Sequence, residues 1–189
     1  MHPTVSSSPL RRHPALVPPS ASAGAASSGG RGRPCSASCS SHRRGAHALD
    51  PATPHADCFA ASAARHRIAP ALLAAIAEVE SAFDPRARNR NRDGSEDIGL
   101  MQINARWLPA LAAHGIDREA LWQPCVSIEV GAWVLAQSIA RYGYTWRAVG
   151  AYNAGTARDA SAEARRMAYA RRVAARLRDA GGAGAAGRD

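Results

Sequence analysis

The sequence lacks lysine, has no aromatic residue before Phe59, and contains no long apolar run. A membrane helix needs an apolar run of about 20 residues, so no transmembrane segment is predicted. Aromatic side chains contribute much of the area that a core buries. The first 57 residues therefore cannot supply a normal core, and the folding unit is expected further along the chain.

The excess of positive charge lies at the two ends of the chain. The 189 residues carry a formal net charge of +9, all 24 basic residues being arginine. Residues 58–155, however, hold ten arginines against nine acids. A nucleic-acid-binding domain would carry the basic excess on its folded part. We therefore expect no nucleic-acid partner, and the arginine and alanine bias indicates a GC-rich coding sequence.

Composition divides the chain into three parts. Residues 1–57 are rich in Ser, Pro, Gly, Ala and Arg and are predicted to be a disordered low-complexity region. They contain no apolar stretch of roughly 7–15 residues as in a secretory signal. Ala46-His47-Ala48 nevertheless fits a small-x-small cleavage site, by chance or because a leader is missing from the chain as written. Residues 58–178 are predicted to form one domain, and residues 179–189 a flexible tail.

Helical spacing dominates the predicted domain. Caps and turn residues predict helices over 70–81 and 107–113, and a short helix that follows the cap Asp117 and ends near Trp122. Three more are predicted: one from Pro124 to Gly143, one that follows the cap Thr145 and ends near Gly155, and one that begins at Ser161. Residues 82–102 are predicted to be mostly loop, with room for a small hairpin within 88–103. The predicted fold class is all-α or nearly so.

The helix predicted over 70–81 carries an acid on its apolar side. At about 100° per residue, Leu72, Ile76 and Val79 form one stripe, and Glu80 falls inside it. A carboxylate on the core side of a helix is costly unless it is paired or neutral. Desolvation raises its pKa toward the range that a general acid needs near neutral pH. The alternative is that Glu80 reaches solvent at the helix end and has no functional role.

Three short motifs resemble those of the lytic transglycosylases of the lysozyme-like superfamily. They are Glu80-Ser81 at the helix end, Gly99-Leu100-Met101-Gln102, and Ala151-Tyr152-Asn153-Ala154-Gly155. Each motif is short, but three in the same order are specific. The segments between them are similar to the small forms that accompany secretion and conjugation machines. The resemblance covers about residues 58–155 and implies a lysozyme-like single helical domain with a substrate groove.

The resemblance also implies a reaction and its catalytic residues. The family cleaves the β-1,4 bond between N-acetylmuramic acid and N-acetylglucosamine in peptidoglycan. Glu80 would act as general acid and then as general base, closing a 1,6-anhydro ring on the muramoyl residue. Tyr152 would donate a hydrogen bond that orients the Glu80 carboxyl group. Asp97 is the candidate for a second carboxylate, with a solvated turn residue as the alternative.

Four residues are implied to bind substrate: Ser81, Met101, Gln102 and Asn153. The amides of Gln102 and Asn153 suit acetamido groups and sugar hydroxyls. The thioether of Met101 would line the groove. For Ser81 the alternative is a local hydrogen bond at the helix end. The four tryptophans are expected to pack in the core rather than to stack on sugars.

The cysteines bear on compartment and metal binding. In the resembling small forms a pair such as Cys58 and Cys125 is joined, which implies a disulfide and an oxidising compartment, the periplasm. Cys35 and Cys39 form no convincing metal site. Residues 89–94 open like a calcium loop, but Leu100 stands where the closing Glu belongs. We therefore expect neither a metal nor a cofactor.

The expected partners are peptidoglycan glycan strands and, from size and resemblance, secretion or conjugation machinery, with the protein itself a monomer. Two other functions remain open at this point. One is a lysozyme-type muramidase that uses water. The other is a non-catalytic peptidoglycan-binding module.

Overall fold

The computed structural model describes residues 49–186, with side chains to Gly181. Cys35, Cys39 and the Ala46-His47-Ala48 pattern lie outside the described residues. The helices are α1 Ala56–His66, α2 Pro70–Ser81, α3 Leu108–Ala112, α4 Pro124–Tyr142, α5 Trp146–Ala154 and α6 Ala160–Ala186. The strands are β1 Arg88–Arg90, β2 Glu96–Ile98 and β3 Ile103–Asn104. The predicted fold class, mainly helical with a small sheet, is confirmed.

Helix α2 positions the acid that the sequence singles out. Its bounds are those predicted, with Pro70 in the first turn and Ala69 extended before it. Leu72, Leu73 and Ile76 are buried in the core. The helix ends at Ala82, which adopts the left-handed conformation and donates its N–H to the carbonyl of Glu78. Glu80 therefore lies in the last helical turn.

Helix α4 forms the centre of the domain. It is buried on nearly all sides, as a helix with few polar residues should be. It packs against α1, α2 and α5. A disulfide and a cluster of hydrogen bonds attach α1 to α4. Cys58 and Cys125 form the predicted disulfide, and the buried Glu129 accepts hydrogen bonds from Ser62, Arg65 and His66.

The N-terminal boundary differs from the predicted one. Helix α1 begins at Ala56, inside the segment predicted to be disordered up to residue 57. The partly buried Leu49 also packs against the core. The start of α1 carries little sequence signal, because the residue before it, His55, is left-handed and makes no side-chain cap.

A three-stranded antiparallel sheet follows α2, in the order β1-β2-β3. The predicted hairpin is therefore confirmed, and a third short strand extends it. Asp97 pairs with Asn89 on one side and with Asn104 on the other. The two shorter predicted helices are partly 3-10 turns, over Ala105–Trp107 and Glu119–Trp122.

Helices α5 and α6 pack in very close contact. A Cβ placed on Gly150 would lie 2.3 Å from the carbonyl oxygen of Arg166, so only glycine fits there. Helix α6 continues to Ala186, so the tail predicted from residue 179 is helical over 179–186. Of the tryptophans, Trp133 is buried against Trp107, whereas Trp146 is 44% exposed and contradicts its predicted core position.

In the described part of the chain, none of the helices combines the length and apolar character that crossing a bilayer requires.

Candidate active site

A polar cleft of about 710 Å³ opens beside the end of α2. The sheet and the residues that follow it form one wall, and α4, α5 and α6 contribute to the other. Five of the residues singled out in the sequence line this cleft: Glu80, Asp97, Gln102, Tyr152 and Asn153. The fold therefore brings together side chains from motifs that are far apart in the chain.

The carboxyl group of Glu80 is held by a tyrosine of the last helix. The Tyr169 hydroxyl donates a 2.6 Å hydrogen bond to Oε1 of Glu80. Tyr169 itself is buried, with 1% of its surface exposed. Burial and the neighbouring Glu80 charge raise the pKa of Tyr169 well above its usual value. The phenol therefore keeps its proton and remains a donor.

The environment of Glu80 favours its protonated form. Burial raises the pKa of the carboxyl from 4.5 to about 7. The hydrogen bond from Tyr169 lowers this pKa, the negative charge of Asp97 raises it, and Arg172 and Asn153 lower it. Desolvation thus outweighs the groups that stabilise the carboxylate. At neutral pH this carboxyl can both give and take a proton, which a general acid–base catalyst requires.

Asp97 is fixed by two asparagine side chains. Its carboxylate accepts hydrogen bonds from Nδ2 of Asn91 at 2.9 Å and from Nδ2 of Asn104 at 2.8 Å. The strand pairing of β2 with β3 places Asn104 beside it. Asp97 is half-buried and lines the cleft. This geometry differs from a solvated turn residue and puts a second negative charge close enough to affect Glu80.

The hydrogen bond predicted from Tyr152 to Glu80 is not formed. The Tyr152 hydroxyl instead donates to the backbone carbonyl of Met101 at 2.7 Å. Tyr152 still lines the cleft, and burial together with the charges of Glu80 and Asp97 raises its pKa. Tyr169 makes the contact that was predicted for Tyr152. The direct role of Tyr152 is thus to join α5 to the loop before β3.

The side chain of Met101 does not line the groove as predicted. It is fully buried, and a Cβ on Gly131 of α4 would lie 2.6 Å from its terminal methyl carbon. Met101 therefore anchors its loop against the central helix. The next residue, Gln102, reaches the cleft, but its amide nitrogen donates to the carbonyls of Ala87 and Gly99. Both donor hydrogens of the Gln102 amide are thus used in hydrogen bonds to backbone carbonyls.

Ser81 makes the local hydrogen bond at the helix end that was its alternative interpretation, to the carbonyl of Ala77 at 3.3 Å. Its hydroxyl donates at 2.7 Å to the carbonyl of Leu100, which ties the end of α2 to the second motif. Asn153 is exposed at the rim of the cleft that Glu80 also lines, where its amide lowers the pKa of the Glu80 carboxyl. Of the four residues predicted to bind substrate, Asn153 is thus the one whose amide faces the acid from the open side.

Tyr169 is the functional residue that the sequence reasoning misses. It lies outside the three motifs, and no pattern assigns it to the acid. One signal was available, since Tyr169 is the only aromatic residue after Tyr152. A single aromatic side chain on an arginine- and alanine-rich helix indicates the position where that helix packs against the rest of the domain.

The described residues contain no group of three or more His, Cys, Asp or Glu side chains arranged to hold a metal ion. The amides and hydroxyls of the cleft lining suit a ligand with many hydrogen-bonding groups.

The mainly helical fold, with its small sheet and the polar cleft beside Glu80, agrees with the lysozyme-like domain that the sequence motifs imply. The family model for the transglycosylase SLT domain matches residues 57–174. The chain belongs to the transglycosylase SLT domain family.

Curated proteins with similar sequences come from enteric bacteria. The invasion protein IagB of Salmonella typhimurium is 50% identical over 105 residues, 55% of this chain and 66% of that protein. IpgF of Shigella flexneri is 45% identical over 102 residues, 53% of this chain and 67% of that protein. A peptidoglycan-binding-like protein of Escherichia coli O157:H7 is 39% identical over 124 residues, 61% and 73% of the two chains. The match thus spans just under two thirds of the Salmonella relative.

One solved structure is similar in fold. The lytic transglycosylase Slt of Pseudomonas aeruginosa, solved as an inactive mutant, superposes with a TM-score of 0.55 at 23% identity. The superposition covers 69% of this chain and 24% of that one. The likeness supports the helical architecture described above.

Proposed function

We propose that the protein is a lytic transglycosylase that cleaves the β-1,4 bond between N-acetylmuramic acid and N-acetylglucosamine in peptidoglycan. The observation that carries this proposal is the position of the Glu80 carboxyl. It lines a polar cleft at the end of α2, and burial raises its pKa to about 7. Membership of the SLT domain family supports the same reaction.

The reaction needs one group that first gives and then takes a proton. Protonated Glu80 donates its proton to the glycosidic oxygen as the bond to C1 of the muramoyl residue breaks. The resulting carboxylate then accepts the proton of the muramoyl 6-hydroxyl, whose oxygen attacks C1. A 1,6-anhydro ring forms, the leaving sugar keeps a hydroxyl, and Glu80 is protonated again. No water is consumed.

The neighbours of Glu80 suit this cycle. The Tyr169 phenol donates to Oε1, so it orients the carboxyl group and supports the carboxylate that forms in the first step. The fixed negative charge of Asp97 favours the positive charge that develops at C1, in the manner of a second glycosidase carboxylate. The substrate's own N-acetyl group would share that task, as the family resemblance implies.

We further propose that the enzyme acts in the periplasm and clears the wall locally for a secretion or pilus system. The disulfide between Cys58 and Cys125 fits an oxidising compartment. The Salmonella relative is named an invasion protein, and the chain resembles small transglycosylases that accompany such machines. A monomer suffices for the reaction, because the cleft residues named here come from one chain.

The test is digestion of purified sacculi by the full chain. The wild type is expected to release muropeptides one water lighter than the products of a muramidase, as measured by mass spectrometry. The Glu80→Gln variant is expected to lose release by roughly a thousandfold or more while still sedimenting with sacculi. Its circular dichroism should match the wild type.

Two results would point elsewhere. Hydrated products would indicate a lysozyme-type hydrolase, for which the fixed carboxylate of Asp97 could hold the water. Unchanged release by Glu80→Gln, or binding without any release by the wild type, would leave a peptidoglycan-binding module instead.

A further inference from the structure

A second cavity adjoins the active-site cleft on the surface of α6. It has a volume of about 680 Å³, and two residues, Asn153 and Arg165, line both spaces. Tyr169, which holds Glu80, also faces it. A ligand lying along the cleft can therefore extend into this second cavity without leaving the protein surface.

The two spaces differ in charge. The second cavity is lined by Arg165, Arg171 and Arg172 and by no acidic residue. The active-site cleft, in contrast, combines the acids Glu80 and Asp97 with its own arginines. The second cavity is therefore the place beside the catalytic acid where an anion would bind most favourably.

The three arginines of this cavity are exposed on the surface of α6. Arg165 donates to the hydroxyl of Ser161 at 3.0 Å, and the guanidinium of Arg172 lies 5.4 Å from the ring centre of Tyr169. Within the described residues none of the three forms an ion pair. Other arginines of the same region do, since Arg166 pairs with Glu163 and Arg176 with Glu78.

The chemistry of the proposed substrate indicates what anion this is. The sugars of a peptidoglycan strand carry hydroxyl and acetamido groups, which are uncharged. The anionic groups are the free carboxylates of the stem peptides, which hang from the muramoyl residues next to the bond that is cut. Guanidinium groups bind carboxylates well because their paired N–H donors match the two oxygens.

We propose that the cavity lined by Arg165, Arg171 and Arg172 is a subsite for the carboxylates of a stem peptide. The inference rests on the proposed function, because it names a further part of the same substrate. It makes the enzyme selective for peptide-bearing glycan, with the sugars held in the cleft and the acidic peptide lying along α6.

The experiment compares two substrates that differ only at their carboxyl groups, which are charged in one and neutral in the other. Soluble glycan strands with stem peptides are acetylated on their amino groups, and half of them are then converted to methylamides on their carboxyl groups. The enzymes are the wild type, the double variant Arg165→Gln/Arg171→Gln, and the control Arg178→Gln. Arg178 is an exposed arginine of α6 outside the cavity. Arg172 is left in place because it affects the pKa of Glu80.

The double variant is expected to raise KM about fivefold on strands with free carboxylates, as the loss of two exposed charge contacts would. Its KM on methylamide strands should rise by less than about twofold, which is the part of the loss that reflects Arg165 at the active-site cleft. Arg178→Gln should match the wild type on both substrates. Circular dichroism and melting temperature are measured for each variant.

Equal changes on both substrates, or no change on either, would overturn the subsite. The same rise for Arg178→Gln would also overturn it, because it would indicate a general effect of charge. Failure of the wild type to release anhydro products from either substrate is a separate result, and it would refute the proposed function instead.

Discussion

Tyr169 and Glu80 are 89 residues apart in the chain, yet the hydroxyl of one lies 2.6 Å from a carboxyl oxygen of the other. The last helix therefore contributes to the candidate active site as well as covering the core. Arg172, one turn further along α6, also acts on the charge of Glu80. The pKa of Glu80 is thus lowered by residues of α6 on one side and raised by Asp97 of the sheet on the other.

Replacing Tyr169 by Phe removes the donor and leaves the ring. We expect kcat on sacculi to fall roughly ten- to a hundredfold, because the Glu80 carboxylate loses a hydrogen bond. That bond lowers the pKa of Glu80, so its loss raises the pKa and moves the alkaline limb of the pH–rate profile to higher pH. Tyr142→Phe, outside the cleft, should change neither quantity. If kcat fell but the alkaline limb of the pH–rate profile stayed at the same pH, Tyr169 would have only a packing role.

Replacing Asp97 by Asn should shift the same limb the other way. The charge of Asp97 raises the pKa of Glu80, so its removal lowers that pKa, and the proton donor is lost at a lower pH. The pH dependence of kcat/KM measures the shift. Asn91→Ala is the matched control, because it removes one hydrogen bond to Asp97 and keeps the charge. A shift toward higher pH for Asp97→Asn would contradict the electrostatic coupling.

The acid and its helix were predictable because both follow from local rules. Pro70 marks the helix start, and the apolar stripe of α2 contains Glu80 within it. The hairpin was predictable because turn residues stand between two short polar segments. Local signals of this kind require no knowledge of the rest of the chain.

The partner of the acid was not predictable, because it depends on how helices pack. Tyr152 and Tyr169 both lie near Glu80, and only the close approach of α5 and α6 decides which hydroxyl reaches the carboxyl. Met101 illustrates the same limit. Its position in a motif indicates importance, but the space beside Gly131 turns its side chain into the core.

The stability of Glu80→Gln should depend on pH. Below about pH 4.5 the carboxyl is protonated in both the folded and the unfolded state, and the substitution should have little effect. Because the folded-state pKa is raised to about 7, the unfolded chain ionises first as the pH rises from 4.5 to about 7, and the wild type loses stability across that window, with no further loss above it. At pH 8 the variant should be more stable by on the order of 2 kcal/mol, allowing for partial exposure.

Urea unfolding at pH 4 and pH 8 measures this difference. The control is Glu78→Gln on the same helix, where a partly exposed carboxylate lies 3.6 Å from Arg176. Its effect should stay within about 0.5 kcal/mol at both pH values. An equal stability of Glu80→Gln and the wild type at pH 8 would show that the acid is freely hydrated.

The disulfide is expected to be a main source of stability. Cys58 and Cys125 are 67 residues apart, and in the chain-entropy model a loop of that size stabilises the fold by about 4 kcal/mol. The Cys58→Ser/Cys125→Ser variant should therefore unfold at a much lower urea concentration. Adding a reductant should lower the midpoint of the wild type and leave that of the variant unchanged. A wild type that is insensitive to reductant would contradict this contribution.

Gly150 links the packing of two helices to the contact between Tyr169 and Glu80. A methyl group there would lie 2.3 Å from the carbonyl oxygen and 2.6 Å from the carbonyl carbon of Arg166, so backbone would have to move. Gly150→Ala is expected to destabilise the fold by about 3 kcal/mol. Because α6 carries Tyr169, activity should fall even at temperatures where the variant remains folded.

Gly181→Ala is the matched control for this substitution. It makes the same change in α6, at a position where a Cβ would meet nothing within 4 Å. There the better helix propensity of alanine should stabilise the protein by about 0.5–1 kcal/mol, with no change in activity. Thermal unfolding and sacculus digestion, measured on both variants, separate the two effects. If Gly150→Ala unfolded at a lower temperature but kept full kcat when folded, the spacing of α5 and α6 would matter for stability and not for positioning Tyr169.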